Sequence, residues 1–138
     1  MKKIPTTNDV LVLRTDFSDE KTWKSICKSI KTPEPENGFL PNVEFHSDKK
    51  YESLKTNQLL SLLPDEYEHP ILFIVDDQSM SNREHSILCI DLIDEPGKHF
   101  RVIPSEVWGV ENNLSEANMD FIDFADSVDK DGVFRGFN

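Results

Sequence analysis

The 138-residue chain is short of most residue patterns on which recognisable chemistry is built. Its five glycines are too few and too scattered for a P-loop or a G-x-G-x-x-G turn, which excludes the usual glycine-rich phosphate cradles. It has two cysteines, Cys27 and Cys89, neither in a C-x-x-C pair, and four histidines, 46, 69, 85 and 99, at no ligand spacing. That argues against a zinc site. No G-x-S-x-G elbow is present, and neither cysteine sits where a reactive thiolate would be expected. No apolar run approaches the roughly 18 residues of a membrane span, and the opening MKKIPTTNDV lacks the apolar stretch of a secretory signal. The expected location is therefore the cytoplasm, with no membrane partner. Basic residues interleaved with aromatics are also missing, and Lys and Arg number 15 against 26 Asp and Glu. A net charge of −11 repels nucleic-acid phosphates, so no nucleic-acid partner is expected either.

What the chain does have is enough apolar matter for one core. Hydrophobic residues make up 37% and phenylalanine alone contributes nine. A chain of this length favours one domain, here residues 1–138, that needs neither disulfide nor metal. Both cysteines fall in apolar patterns, where buried free thiols suit a cytosolic protein. The charge is unevenly spread. Residues 1–31 hold seven basic and four acidic groups, whereas residues 104–138 hold two and eight. The C-terminal quarter thus carries over half of the net charge, a field that attracts cationic partners.

The patterning predicts β-α-β-α-β, then a β-β hairpin, then two helices. VLVLR (10–14) reads as a strand, and Trp23, Ile26, Cys27 and Ile30 make the stripe of a helix from about 18 to 31, capped by Asp16 or Ser18. KTPEPENGFLP is a loop, NVEFH (42–46) alternates like a strand, 48–51 is irregular, and Thr56 caps a helix ending near Leu63. ILFIVDD (71–77) reads as a central strand, and ILCIDLI (87–93) and KHFRVIP pair across the DEPG turn. The fold class expected is α/β: a single domain with a mixed sheet of about five strands and two C-terminal helices.

The most polar stretch is VWGVENNLSEANMDF (107–121). Here a helix opened by Pro104 and Ser105 is expected to run to about Val110 and to end at Asn112 and Asn113. Leu114 then plugs the core and Ser115 caps a second helix, with Asn118 at its third position. Ala117, Phe121, Phe124, Ala125 and Val128 would make the buried face, and Glu116, Asp120, Asp123 and Ser127 a separate one. Trp108, Glu111, Asn113, Glu116, Asp120 and Asp123 are the candidate binding residues, because an aromatic beside fixed carboxylates suits an arginine or lysine of a partner. No catalytic residue and no cofactor is expected in this reading.

A second constellation lies at strand ends. Asp16 follows the first strand, and Asp76 and Asp77 follow the central one, so a parallel arrangement would bring three carboxylates to one edge. They are the candidate ligands for a magnesium ion in a metal-dependent or phosphate-handling enzyme. This loosely resembles the acidic pocket of receiver domains, but no phosphoacceptor lysine and threonine pair can be placed. Alternatively these aspartates cap the segments that follow them. SVDKDGVFRGFN (127–138) faintly follows a calcium loop, but Ser127 and Asn138 stand where the first aspartate and the bidentate glutamate belong, so it reads as a turn.

LVLRTDFSDEKTWKSIC, ILFIVDDQSM and above all the block Glu106 to Phe137, with its E-x-W-x-V-E-N-N-L-S-x-A-N-M-D-F pattern, resemble an uncharacterised bacterial domain-of-unknown-function family. The resemblance spans nearly the whole chain, with 32–70 contributing little. It implies a small stand-alone bacterial domain and no catalytic residues to carry over. In size and acidity the chain is also similar to toxin-immunity proteins. The expectation is a cytosolic protein-binding domain, of which an immunity-type inhibitor is one form, that meets the basic surface of a partner such as a toxin.

Overall fold

Three segments that are apolar almost throughout lie side by side in the middle of a sheet. They are β1 (Val10–Arg14), β3 (Ile71–Val75) and β4 (Ile87–Asp91), and every residue of all three is buried. Such runs form strands that are covered on both faces. A computed structural model, which describes residues 3–137, adds β2 (Val43–His46), β5 (His99–Val102) and β6 (Val133–Phe134). The order across the sheet is β2-β1-β3-β4-β5-β6. β1 runs parallel to β2 and β3, β4 is antiparallel to β3 and β5, and β6 is parallel to β5. The expected single α/β domain with a mixed sheet and a β4–β5 hairpin is present. The sixth strand was not expected: only two residues long, it falls where the sequence reads as a trailing end.

The period-2 alternation of each strand divides the interior in two. Val10, Val12, Phe73, Val75, Ile87 and Cys89 face one core, and Leu11, Leu13, Leu72, Ile74, Leu88 and Ile90 the other. The first core is closed by α1 (Glu20–Ile30), α4 (Val107–Ser115) and α5 (Phe121–Ala125), whose Trp23, Ile26, Val110, Phe121 and Phe124 pack into it. Phe100, Phe121, Phe124 and Phe134 meet there at centroid distances of 5.0 to 6.5 Å. The second core is closed by α2 (Thr56–Leu62) through Leu59 and Leu62, with Ile4 and Tyr51 beside them. Burial of each such side chain contributes roughly 1.5–3 kcal/mol.

Helix starts depart from the expected caps. α1 begins at Glu20 and is capped by Asp19, whose carboxylate accepts from the Lys21 and Thr22 amides and the Thr22 hydroxyl. These bonds hold the Asp19 carboxyl below its ordinary pKa, the Thr22 hydroxyl first among them. Asp16 instead closes a turn onto Ser18. Thr56 is the first helical residue of α2 rather than its cap, and Gln58 accepts the Lys55 amide in front of it. β3 ends at Val75 rather than running to Asp77, and a short helix, α3 (Asp77–Ser81), follows it; Asp76 caps this helix by accepting from the Ser79 amide, as the capping alternative has it. Residues 49–51 form one 3-10 turn.

The largest correction falls on the polar stretch. α4 does not stop at Asn112 and Asn113; it continues to Ser115, which caps nothing. Asn113 donates to the Gly109 carbonyl, and Asn112 to Glu111 and to the Leu40 carbonyl, so both amides are satisfied inside a helix. The break comes at Ala117, which has φ +57°. Its amide donates to the Leu114 carbonyl, and the Asn118 amide to Asn113, which is the Schellman pattern. α5 then starts after Asp120, with Asp123 accepting the Asp120 amide at 2.8 Å. Ala117 is exposed and takes no part in the buried face.

A left-handed alanine is strained by its Cβ, and glycine is not. Ala117→Gly is expected to raise stability by roughly 0.5 kcal/mol after the larger entropy of the unfolded glycine chain is deducted. Urea unfolding followed by far-UV circular dichroism checks this, and a loss of stability would contradict the Schellman assignment.

Both cysteines are free. Burial pushes the half-buried Cys27 thiol up to about 11, and also raises the fully buried Cys89 thiol well above its ordinary value. At about pH 8 neither is a thiolate, so Ellman's reagent is expected to modify Cys27 slowly and Cys89 only at the rate of unfolding. Raising the pH toward 11 accelerates the Cys27 reaction alone, which mass spectrometry of the labelled peptides reads directly.

Candidate functional site

The polar residues singled out in the sequence divide between two edges of the sheet. At the edge where β3 begins and β4 ends, the α4–α5 junction packs beside the turn that follows β4. Asp91 organises that turn: one carboxylate oxygen accepts from the Ile93 amide at 3.0 Å, the other from Glu95 at 2.9 Å. The turn holds Ile93 outward, 64% exposed. Between it and the junction lies a cavity of about 240 Å³, walled by Pro70, Ile71, Ile93, Leu114, Met119 and Phe121 and bordered by Asp91, Asp94 and Asp120. A second depression of about 180 Å³ shares Asp91, Asp94 and Phe121 with it and adds Glu95, Lys98 and Ile122. Together they form an apolar groove with an acidic margin.

Of the six candidate binding residues, Glu116, Asp120 and Asp123 are exposed; Asp120 borders this groove, and Glu116 and Asp123 stand next in sequence to Ala117 and Ile122, which line it. No lysine, arginine or histidine among the described residues stands within 4.0 Å of their carboxylates. The other three serve elsewhere. Glu111 is buried, with its carboxylate accepting from the Asn42 amide at 2.6 Å and from Asn112 at 2.8 Å, so it ties α4 to the segment entering β2. Asn113 is spent on its own helix. Trp108 is half-buried and stacks on the exposed Phe39 ring, centroids 5.3 Å apart. It stands eight residues before Glu116 on α4, about 12 Å along the axis. Trp108 thus belongs to a separate aromatic patch with Phe39 and Leu40. Ile93, Asp94 and Ile122 were missed in the sequence; the signals were an isoleucine directly before a turn and another on the helical side opposite Phe124.

At the opposite edge, Asp16, Asp76 and Asp77 do border one cavity, of about 170 Å³. They do not converge as metal ligands: no group of three or more metal-binding side chains exists among the described residues. Asp76 is already engaged, accepting from Ser79 with one oxygen and from Arg101 Nη2 with the other at 2.5 Å. Capping and pairing, which compete with metal binding, account for its position. Further along the chain, Asp129 accepts from the Asp131 and Val133 amides and pairs with Arg135, which makes the C-terminal segment the turn that its residues suggested. No helix is long and apolar enough to cross a membrane among the described residues.

The chain belongs to a domain-of-unknown-function family, DUF6924, whose model matches residues 9–137. The resemblance read from its residues to an uncharacterised domain family therefore holds across nearly the whole chain. A search among curated proteins found no match.

The geometry separates carboxylates that hold the fold from those that do not. Glu111→Ala is expected to cost about 2 kcal/mol, since it strips the Asn42 amide of its acceptor and empties a buried position. Glu116→Ala is expected to change stability by less than about 0.5 kcal/mol, as exposed positions do. Paired urea titrations distinguish the two.

Proposed function

We propose that this member of a family without an assigned activity is a protein-interaction domain that docks a partner with a basic surface. The docking surface is the acid-rimmed groove between the β4–β5 turn and the α4–α5 junction. Ile93 and Ile122 offer apolar contact, and Asp94, Glu116, Asp120 and Asp123 supply the charge.

The observation that carries this reading is the position of Glu116. Asp120 and Asp123 sit at the start of α5, where the helix dipole and the cap favour a carboxylate. Glu116 sits at the C-terminal end of α4, where the dipole opposes one. Its carboxylate accepts from the Asn118 side-chain amide at 3.4 Å, and no cation among the described residues stands within 4.0 Å of it. Folding gives no motive for a third negative charge there. A cationic partner does, because exposed like charges raise association rates and select for an opposite surface. An inhibitor of a basic protein toxin is one form such a domain takes. The reading sets it in a bacterial cytoplasm, where Cys27 and Cys89 stay reduced.

Glu116→Gln, Asp120→Asn and Asp123→Asn combined remove the charge and keep the acceptors that cap α5. The immobilised protein is expected to capture from host lysate a chain of basic isoelectric point, identified by mass spectrometry. The purified partner should bind the triple variant about tenfold more weakly, and the wild type more weakly as salt rises from about 50 to 500 mM. An acidic partner, or a basic one held equally by the variant and insensitive to salt, would overturn the reading.

A further inference from the structure

The sheet ends laterally on β2 and β6, and the two ends differ. β6 has only two residues, and Arg135 directly after it is held by Glu84 and Asp129. β2 offers a longer free margin. The Asn42 carbonyl accepts from the Val10 amide, and Val10 stands opposite Val43, so the backbone groups of 42, 44 and 46 point to β1. Successive residues of a strand alternate in direction, so those of Val43, Phe45 and Ser47 point away from the sheet. Among the described residues nothing pairs with these outward amides and carbonyls. Such a row is a template for another strand.

The side chains of β2 select which strand. Phe45 is half-buried, edge-on to Trp23 at 6.1 Å, with the Lys31 ammonium 6.0 Å from its ring. On the other face, Glu44 gives one carboxylate oxygen to the Asp9 amide, and no cation among the described residues stands within 4.0 Å of it. His46, on the same face as Glu44, packs on Tyr51 at 5.8 Å. Its Nε2 is the one buried side-chain polar atom among the described residues without a hydrogen-bond partner. A buried nitrogen left so costs about 1–3 kcal/mol, and nothing within the single chain relieves it. An unmet carboxylate and an unmet imidazole thus stand two residues apart on a free strand.

We propose that β2 pairs antiparallel with β2 of a second copy, with Phe45 opposite Phe45 at the two-fold axis. The outward residues must form the hydrogen-bonded pairs of such a ladder, which restricts the register. Centring on Val43 brings the donorless Pro41 into the ladder, and centring on Glu44 sets two carboxylates face to face. Centring on His46 carries the ladder into the 3-10 turn at 49–51. Centring on Phe45 avoids all three. It sets Val43 opposite Ser47 and Glu44 opposite His46, each twice by symmetry, with about six backbone hydrogen bonds. Glu44 and His46 then form the close kind of pair, Cα atoms about 4.5 Å apart, so a turn of the imidazole gives its unmet nitrogen the partner carboxylate. The acid-rimmed groove adjoins β3 and β4 rather than β2, so each copy keeps its own groove free. A contact this small makes a weak dimer, with a Kd of about 10–100 µM.

The test is sedimentation equilibrium of the full chain from about 5 µM to 1 mM, with amide shifts of ¹⁵N-labelled protein over the same dilution. The mass is expected to rise from one chain toward two, and the Val43, Phe45 and Ser47 amides to shift with it. Ser47→Pro removes an outward donor where an edge strand tolerates proline, and is expected to weaken association about tenfold or more. Glu44→Lys sets a lysine opposite His46, and His46→Glu sets two glutamates opposite each other. Each variant alone is expected to be monomeric at about 200 µM and the equimolar mixture to dimerise, because the mixed pair sets the new lysine opposite the new glutamate. Circular dichroism of the dilute variants reads their folding separately. The variant lacking charge at 116, 120 and 123 should dimerise as the wild type does. A chain still monomeric at the highest concentration, shifts confined to the acid-rimmed groove, wild-type association of Ser47→Pro, or a mixture no more dimeric than its components would each overturn the proposal. So would loss of the dimer in the triple variant, which would seat the second copy in the groove, or protection of the Val43 and Phe45 amides only by a foreign chain.

Discussion

Charge along the three central strands is displaced to their ends by one constraint: β1, β3 and β4 are buried on both faces, residue after residue. A strand so placed can carry no charge along its length without desolvating it. Polarity therefore returns at the last residue or the one after. Arg14 shows how narrow the margin is. It ends β1 at 2% exposure, and its guanidinium is held by Glu20, the Asp16 carbonyl, Ser47 and the Phe17 ring 4.3 Å away. Thr15, Asp16, Asp76 and Asp77 appear at one edge directly after the apolar runs stop, and Asp91 closes β4 at the other. Both candidate sites are consequences of where the hydrophobic pattern runs out.

The same constraint decides what could be read in advance. Continuous apolar runs bounded by turn residues marked β1, β3, β4 and the hairpin, because nothing else places so many branched side chains together. Whether Asp16, Asp76 and Asp77 share an edge depended on parallel pairing, which the sequence leaves open; β1 and β3 do pair in parallel, and the three border one cavity. Three features resisted. β6 has two residues, too few for any period to register. The end of α4 was misplaced because Asn112 and Asn113 are good helix stops only when nothing else satisfies them, and here Leu40, Gly109 and Glu111 do. The true stop rests on an alanine in the left-handed region, which no propensity announces. The start of α5 was legible after all: Asp120 and Asp123 stand at cap and third position, a capping-box spacing passed over in favour of Ser115. Long-range engagement was the hardest to see. Nothing local shows that Glu111 turns inward to Asn42, or that Arg101 reaches Asp76.

Net charge alone therefore describes this protein poorly. Asp16, Asp19, Asp76, Asp91, Glu111 and Asp129 are acids by composition and structural acceptors by position, each receiving backbone or side-chain donors. Five of them supply a hydrogen bond that a helix start or a turn would otherwise lack, Glu111 supplies the acceptor for the Asn42 amide ahead of β2, and the fold would retain them whatever the protein meets. Asp94, Glu116 and the outer oxygens of Asp120 and Asp123 remain once these are set aside. They are few, they stand at or next in sequence to one apolar groove, and none is paired within 4.0 Å with a base among the described residues, the groove's own Lys98 being paired with Glu95. Within a Debye length of about 8 Å at physiological salt they act on an approaching surface together rather than singly.

That concentration bears on how a partner would be held. Exposed ion pairs contribute little each, about 0–1 kcal/mol, so a cluster of carboxylates by itself gives fast arrival and weak retention. Retention needs apolar area at the centre of the contact. Ile93 and Ile122 supply it within the acidic margin, and both are isoleucines that the cores do not need. The rigid Asp91 turn fixes Ile93 in place, so less conformational freedom is lost when it is covered. Charge outside and branched apolar side chains inside is the order in which a docking surface must present them, because steering acts before contact and desolvation acts after it.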